Sequence, residues 1–164
     1  MPLHLTIDIP LIFQRLKLVS LSQRHLAENA QPVSFDPDEL GRALQAQCPG
    51  ISFAFLMGSG ADGVVPTESD VDLALYLNEK PDVAFYGKVT DAVKTVVPGV
   101  RCDIGVLNQA EPVYCFEALK GRRLFARDPE QYQEFFSRTS RDYEERIRHY
   151  ETQHAYRLEA AHAG

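Results

Sequence analysis

Tryptophan is absent from this sequence of 164 residues, methionine occurs twice and cysteine three times. The cysteines, Cys48, Cys102 and Cys115, are odd in number, widely spaced and form no C-x-x-C pair. This pattern argues against a disulfide framework and a zinc–thiolate site. The histidines are scattered as well, and His149 and His154 stand five residues apart rather than the four that share a helix face. The sequence therefore indicates no histidine or cysteine metal site.

Long hydrophobic runs are also missing. No stretch of about 18 apolar residues occurs, so we expect no membrane span. The N-terminal segment MPLHLTIDIPLIFQRLKLVSL is apolar but interrupted by charged residues, and it lacks the basic start and the small-residue cleavage site of a signal peptide. The expected location is the cytoplasm.

Positively charged residues are fewer than negatively charged ones. The sequence has 17 Lys and Arg against 23 Asp and Glu, which gives a net charge of -6. General nucleic-acid binding is disfavoured, because proteins with that activity neutralise many phosphates with Lys and Arg. Binding of a single nucleotide remains compatible with this charge, since a metal ion and local groups can reverse the field at one site.

The length and the hydrophobic content of 45% are typical of one globular domain. Periodicity and turn residues predict an α/β (α+β) fold with a mixed sheet flanked by helices and a C-terminal helical extension. The predicted elements are helices over 36–48, 81–97, 112–119 and 128–159, and strands over 51–57, 70–77, 100–107 and 123–126. We divide the chain into an N-terminal segment of uncertain structure (1–35), a core (36–127) and a long helix with a tail (128–164).

The final helix carries an apolar stripe of Tyr132, Phe135, Phe136, Tyr143, Ile147 and Tyr150. The simplest interpretation of this stripe is core packing. A helix of this length, near 45 Å, can nevertheless extend beyond the domain. Its remaining apolar surface would then be suited to binding a partner or forming a homodimer.

The most informative stretch is GSGADGVVPTESDVDLALYL, from Gly58 to Leu77. Asp70 and Asp72 project from one face of an alternating strand, where like charges raise each other's pKa unless a cation neutralises them. Carboxylate oxygens favour Mg²⁺ or Mn²⁺. Asp103, on the next predicted strand, can complete a three-carboxylate cluster, in which two metal ions would activate a hydroxyl and stabilise a leaving pyrophosphate.

The glycine turn supplies the other half of this candidate site. Backbone N–H groups around Gly58, Ser59 and Gly60 can cradle phosphates without steric hindrance, and the Ser59 hydroxyl adds a donor. Gly58-x-Gly60-x-x-Gly63 also matches a dinucleotide-binding pattern, but that pattern requires a helix that starts within the loop. Val64-Val65-Pro66-Thr67 follows here without helical periodicity, which disfavours this alternative.

A pattern of Gly-Ser, ten further residues and then Asp-x-Asp is present in this sequence. This pattern resembles the signature of the DNA polymerase β-like nucleotidyltransferase superfamily. Leu73-Ala74 and the strand that starts at Asp103-Ile104 are similar to its small bacterial branch, the minimal nucleotidyltransferase (MNT) proteins. The resemblance covers about residues 40–150. It implies that Asp70, Asp72 and Asp103 bind two Mg²⁺ ions (or Mn²⁺), that Asp103 accepts the proton of the attacking hydroxyl, and that Gly58-Ser59 hold the phosphates of ATP.

The resemblance further implies an antitoxin, in a hetero-oligomeric complex, that transfers AMP from ATP to a tyrosine of a HEPN ribonuclease toxin. Two rival functions stay open: nucleotidyl transfer to a small molecule of the aminoglycoside type, and neutralisation of a toxin by binding alone. The chain departs from the family at Asp62, where an arginine is usual. We expect lower or lost activity, altered nucleotide choice, or compensation by Arg101, Arg122 or Arg123.

Other residues compete for some of these roles. Glu111 and Glu117 are alternative third acids. Asp70 and Asp72 taken alone also fit the solvated face of an ordinary strand, and only their combination with Gly58-Ser59 and Asp103 favours a catalytic site.

Overall fold

The computed structural model describes residues 31–66 and 69–162. The helices are α1 (Pro37–Gln47), α2 (Val83–Val96), α3 (Pro112–Lys120) and α4 (Pro129–His162). The strands are β1 (Val33–Ser34), β2 (Ile51–Met57), β3 (Val64–Val65), β4 (Asp70–Leu77), β5 (Arg101–Val106) and β6 (Arg122–Ala126). A 3₁₀ helix, Gly58–Asp62, follows β2. All these elements belong to one compact unit, Pro32–Gly164.

Four strands form the main sheet in the order β5-β4-β2-β6. Strand β2 is antiparallel to both of its neighbours, whereas β4 and β5 run parallel. The sheet is therefore mixed, as predicted. Because parallel strands need a crossover connection, α2 links β4 to β5.

One face of the sheet packs against α1 and α2. Alternation along β4 sends Val71, Leu73 and Leu75 to this face, where they join Leu44 of α1 and Val89 of α2 in a buried cluster. Two N-caps fix the starts of these helices: the Asp36 carboxylate accepts a hydrogen bond from the Asp38 amide, and the Asp82 carboxylate accepts one from the Phe85 amide.

The opposite face carries a second core, which the alternation pattern alone did not predict. Phe53 lies at its centre, stacked on Tyr76 with ring centroids 4.6 Å apart and in contact with Tyr132 and Phe135 of α4. Helix α3 contributes Cys115 and Ala118. Both faces of β2 are thus covered, which is why its sequence is apolar except for the buried Ser52. The first turns of α4 belong to the same packing unit as the sheet.

The apolar stripe of α4 divides into two parts. Tyr132 and Phe135 belong to the core, and Tyr143 stacks on Phe116 of α3. Phe136 and Tyr150 are 45% and 51% exposed. With 34 residues, the helix is about 50 Å long. No helix in the described part of the chain is long and apolar enough to cross a membrane.

The predicted helices and main strands are confirmed, with small shifts at their ends: β5 spans Arg101–Val106 rather than 100–107. The short antiparallel pair of β1 and β3 was missed, and the loop expected around Pro66 begins with β3. Two residues per strand are too few for a periodic signal. The prediction for residues 1–30 lies outside the described part of the chain.

Candidate active site

Three aspartates lie on one face of two neighbouring strands. Asp72 of β4 is directly opposite Asp103 of β5 in the parallel register, and Asp70 is opposite Arg101. Since paired residues on adjacent strands point to the same side about 4.8 Å apart, the carboxylates of Asp70, Asp72 and Asp103 share one patch. The strand register therefore places on one face of the sheet the three acids that the sequence singled out, while their role as metal ligands stays a prediction.

The Gly58 turn brings the end of β2 against this patch. Met57 pairs with Asp72, and the chain then turns at Gly58 with φ of 62°. A Cβ at Gly58 would lie 2.8 Å from Oδ2 of Asp72. Glycine is required here twice over: by the left-handed backbone and by the nearby carboxylate.

The next two residues of the turn have different surroundings. Ser59 is exposed beside Gly58, so its hydroxyl is accessible. Gly60 is buried, and a Cβ there would lie 3.1 Å from Cγ1 of Val65. Packing against β3 thus favours glycine at position 60, while the predicted phosphate contact of its backbone N–H stays a prediction.

A 3₁₀ helix and a strand, not an α-helix, follow β2 in this turn. The helix ends at Gly63, which is in the left-handed conformation with φ of 79°. The dinucleotide-binding pattern needs the N-terminus of an α-helix at this point. The structure therefore excludes that interpretation of the three glycines.

The pKa of Asp72 reflects its partial burial and the closeness of the three carboxylates in the patch. The pKa of Asp72 is raised, first because the carboxyl is partly buried and then because the negative charges of Asp103 and Asp70 lie close to it. Oδ1 of Asp70 is a buried atom that has no hydrogen-bond partner in the described residues. Nε of Arg101 lies 2.9 Å from it, an ion pair whose geometry does not make a hydrogen bond.

The donor set fits a hard divalent cation. Carboxylate oxygens are the ligands that Mg²⁺ prefers, and a cation would relieve both the mutual repulsion and the unpartnered Asp70 oxygen. Within residues 31–66 and 69–162, however, no three His, Cys, Asp or Glu side chains are already gathered into a metal-binding group. Arg101 instead supplies the positive charge beside Asp70.

The three arginines considered as replacements for the usual family arginine occupy different places. Arg101 lies on the acid face, paired with Asp70. Arg122 forms an ion pair with Asp38, 2.8 Å away. Arg123 pairs with Phe55 on the sheet face that carries the acids, and its guanidinium lies 4.7 Å from the ring centre of Tyr132.

The alternative third acids have other partners. Glu111 forms an ion pair with Arg146 of α4, and Glu117 forms one with Lys120 at 2.5 Å. Neither glutamate is among the charges that raise the pKa of Asp72, whereas Asp103 is. The geometry therefore favours Asp103 as the third acid.

Sequence reasoning missed one contribution to the site and one pair of hydrogen bonds elsewhere in the sheet. Asn108 accepts a hydrogen bond from the Leu77 amide at 2.9 Å and donates one to the Leu77 carbonyl at 2.8 Å, which ties the end of β4 remote from the aspartates to the segment after β5. Tyr114 of α3 lies against Gly105, two residues beyond Asp103 on the same face. A glycine inside an alternating strand was the available signal, because it often marks a close approach.

Carboxylates on paired strands beside a glycine turn are the arrangement that the resemblance implied for a nucleotidyltransferase. The sequence matches the family described as "Polymerase beta, Nucleotidyltransferase" over residues 39–130. This match covers more than half of the chain, and the chain therefore belongs to the polymerase β nucleotidyltransferase family. The matched region runs from α1 into the start of α4 and includes the whole acid patch.

Solved structures support the same fold. A chain from a crystal structure of a mutant MntA–HepT toxin–antitoxin complex aligns with a TM-score of 0.57 and 16% identity, over 77% of this chain and 98% of that chain. A toxin–antitoxin structure with AMP-PNP gives 0.55 and 16%, over 77% and 98%. A complex of the tri-AMPylated Shewanella oneidensis HEPN toxin with its MNT antitoxin gives 0.51 and 15%, over 76% and 94%. At these identities the likeness establishes the fold.

No curated protein is significantly similar to the chain in sequence.

Proposed function

We propose that this chain is a Mg²⁺-dependent antitoxin that transfers AMP from ATP to a tyrosine of a HEPN ribonuclease toxin. The observation that carries the proposal is the register that sets Asp72 opposite Asp103, with Gly58 packed against the Asp72 carboxylate. Membership of the nucleotidyltransferase family supports the reaction class. The complexes of MNT antitoxins with HEPN toxins, one of them AMPylated, support the partner and the transferred group.

The proposed reaction joins the tyrosine oxygen to the α-phosphorus of ATP and breaks the bond between that phosphorus and the oxygen that bridges to the β-phosphorus. Pyrophosphate leaves, and the carboxylate of Asp103 accepts the phenolic proton. Backbone N–H groups at Gly58 and Ser59 orient the β- and γ-phosphates. The contribution of the protein is mainly positioning and charge neutralisation.

Asp70, Asp72 and Asp103 are the residues that would hold the metal. Mg²⁺ bound there would neutralise the phosphate charge and the three carboxylates together. Arg101 forms an ion pair with Asp70 and is the first candidate to compensate for the arginine that Asp62 replaces. Arg123, on the same face, is the second candidate for contact with the phosphates.

The experiment is intact mass spectrometry of candidate acceptors after incubation with this protein, ATP and Mg²⁺, starting with the product of the neighbouring gene. One or more AMP units on a tyrosine of that protein would support the proposal. The Asp70→Asn, Asp72→Asn double variant is the control and should give no adduct.

Two results would contradict the proposal in different ways. A stable complex that inhibits the toxin without any adduct, and that the double variant still forms, would show neutralisation by binding alone. Absence of both adduct and complex, together with AMP transfer to an aminoglycoside, would show a small-molecule enzyme.

A further inference from the structure

A phenolic hydroxyl of this chain itself lies on the acid face. Tyr114 is in the first turn of α3 and is 37% exposed. Its ring approaches β5 at Gly105, where a Cβ would lie 2.7 Å from Cζ of Tyr114 and would collide with the hydroxyl. Because Gly105 follows Asp103 by two residues, the hydroxyl stands beside the third acid on the same face of the strand.

The charges around Tyr114 agree with this placement. The pKa of its phenol is raised, first by partial burial and then by the carboxylates of Asp103 and Asp72. The hydroxyl keeps its proton at neutral pH and can pass it to a neighbouring carboxylate during a reaction.

Three other tyrosines whose side chains are described have different environments. Tyr76 is stacked on Phe53 in the second core, and Tyr143 is stacked on Phe116. Tyr86 of α2 packs on Phe85, which contacts the core on the other face of the sheet. Tyr114, by contrast, lies against β5, the strand that carries Asp103.

We propose that Tyr114 is an AMP acceptor within this chain, so that the protein AMPylates itself when ATP is supplied without a partner. The inference rests on the nucleotidyl transfer proposed above. The Tyr114 oxygen bonds to the α-phosphorus of ATP, the bond from that phosphorus to the pyrophosphate oxygen breaks, and the proton passes to Asp103. The products are an O-AMP-tyrosine and pyrophosphate, and no other reactant is needed.

The proposed modification takes place within one molecule, because the Tyr114 hydroxyl lies against the same strand that carries Asp103. Its rate per protein molecule is therefore independent of protein concentration, unlike transfer between two copies. An acceptor held in place has a large advantage over one that must diffuse to the site.

The test uses the purified full chain with ATP and Mg²⁺, followed by intact mass and peptide mapping. We expect one AMP unit on Tyr114, formed at the same first-order rate over a tenfold range of protein concentration. Tyr114→Phe keeps the ring over Gly105 and should lose the adduct completely. Tyr86→Phe is the matched control, since Tyr86 is 38% exposed, and should keep it.

Several results would overturn the inference. An unmodified chain that still AMPylates its partner would refute self-modification and leave the proposed function intact, whereas modification of neither would remove both. An adduct at another residue, or one that persists in a folded Tyr114→Phe variant, would also refute it. Unchanged melting temperatures of the two Phe variants would confirm that loss of the adduct is not loss of folding.

Discussion

The Gly58→Ala substitution should disturb the geometry of the acid patch, and hence activity, much more than it lowers the stability of the fold. The new Cβ would lie 2.8 Å from Oδ2 of Asp72, and ordinary contacts of a Cβ begin at 3.4 Å. The carboxylate must therefore move by 0.6 Å, the difference between these two distances. Since the obstacle is the end of a short side chain and not backbone, the fold can absorb the change, but the proposed metal ligand cannot stay in place.

The expected magnitudes differ for stability and activity. An alanine in the left-handed region costs about 1–2 kcal/mol, which lowers the melting temperature of a chain of this size by about 2–8 °C. A misplacement of about 1 Å in an active site can cost about 100-fold in rate, so a shift of this size should cost about 10- to 100-fold.

Gly99→Ala provides a matched control. Gly99 also has a left-handed backbone, with φ of 80°, but nothing lies within 4 Å of its Cβ position. Both variants should lose similar stability, and only Gly58→Ala should lose activity. The measurements are calorimetric melting temperatures and initial rates of AMP transfer at saturating ATP. Equal activity of the two folded variants would refute the argument that Asp72 must stay where Gly58 allows it.

Three further predictions concern charge and packing. Asp72→Asn should raise the melting temperature at neutral pH in the absence of metal, because a raised pKa means that the ionised form costs stability. This gain should shrink as the pH falls through the raised pKa of the folded Asp72 carboxyl and should be lost below 3.8, the ordinary pKa of this group in the unfolded chain, which calorimetry at several pH values would show. Arg101→Gln should tighten Mn²⁺ binding by about 1.4- to 5-fold in electron paramagnetic resonance titrations without nucleotide. The reason is that the exposed Arg101 competes with the metal for the Asp70 carboxylate, and such an ion pair is worth about 0.2–1 kcal/mol. Unchanged affinity, or the same gain in Arg122→Gln, would contradict this. Phe53→Ala removes a fully buried ring and should cost about 3–5 kcal/mol in denaturant unfolding, against less than about 1 kcal/mol for Phe136→Ala on the exposed part of α4.

Much of this fold could be predicted because local signals were strong. Strict alternation over residues 70–77 fixed both the strand and the face of its aspartates. Asp82 supplied the cap of α2, and Gly121 marked the end of α3. Each of these features depends on a few neighbouring residues, which is why a single sequence contains it.

Features that depend on tertiary pairing could not be predicted in the same way. The face of Asp70 and Asp72 was expected to carry the site, but the core that α4 builds further along that face, at Phe53 and Tyr76, depends on how a distant helix docks. The ion pair of Arg101 with Asp70 follows from strand register, which the sequence leaves open. The approach of Tyr114 to Gly105 likewise depends on the placement of α3.

The most direct test of the central claim compares the two ends of the triphosphate. The protein and its partner are incubated in parallel with ATP labelled with ³²P at the α- or at the γ-phosphorus, and the radioactivity in the partner is measured. Nucleotidyl transfer by the acid patch predicts label from α-labelled ATP alone, lost in the Asp70→Asn, Asp72→Asn double variant. Label from the γ-position, or α-label that survives in the double variant, would contradict the account.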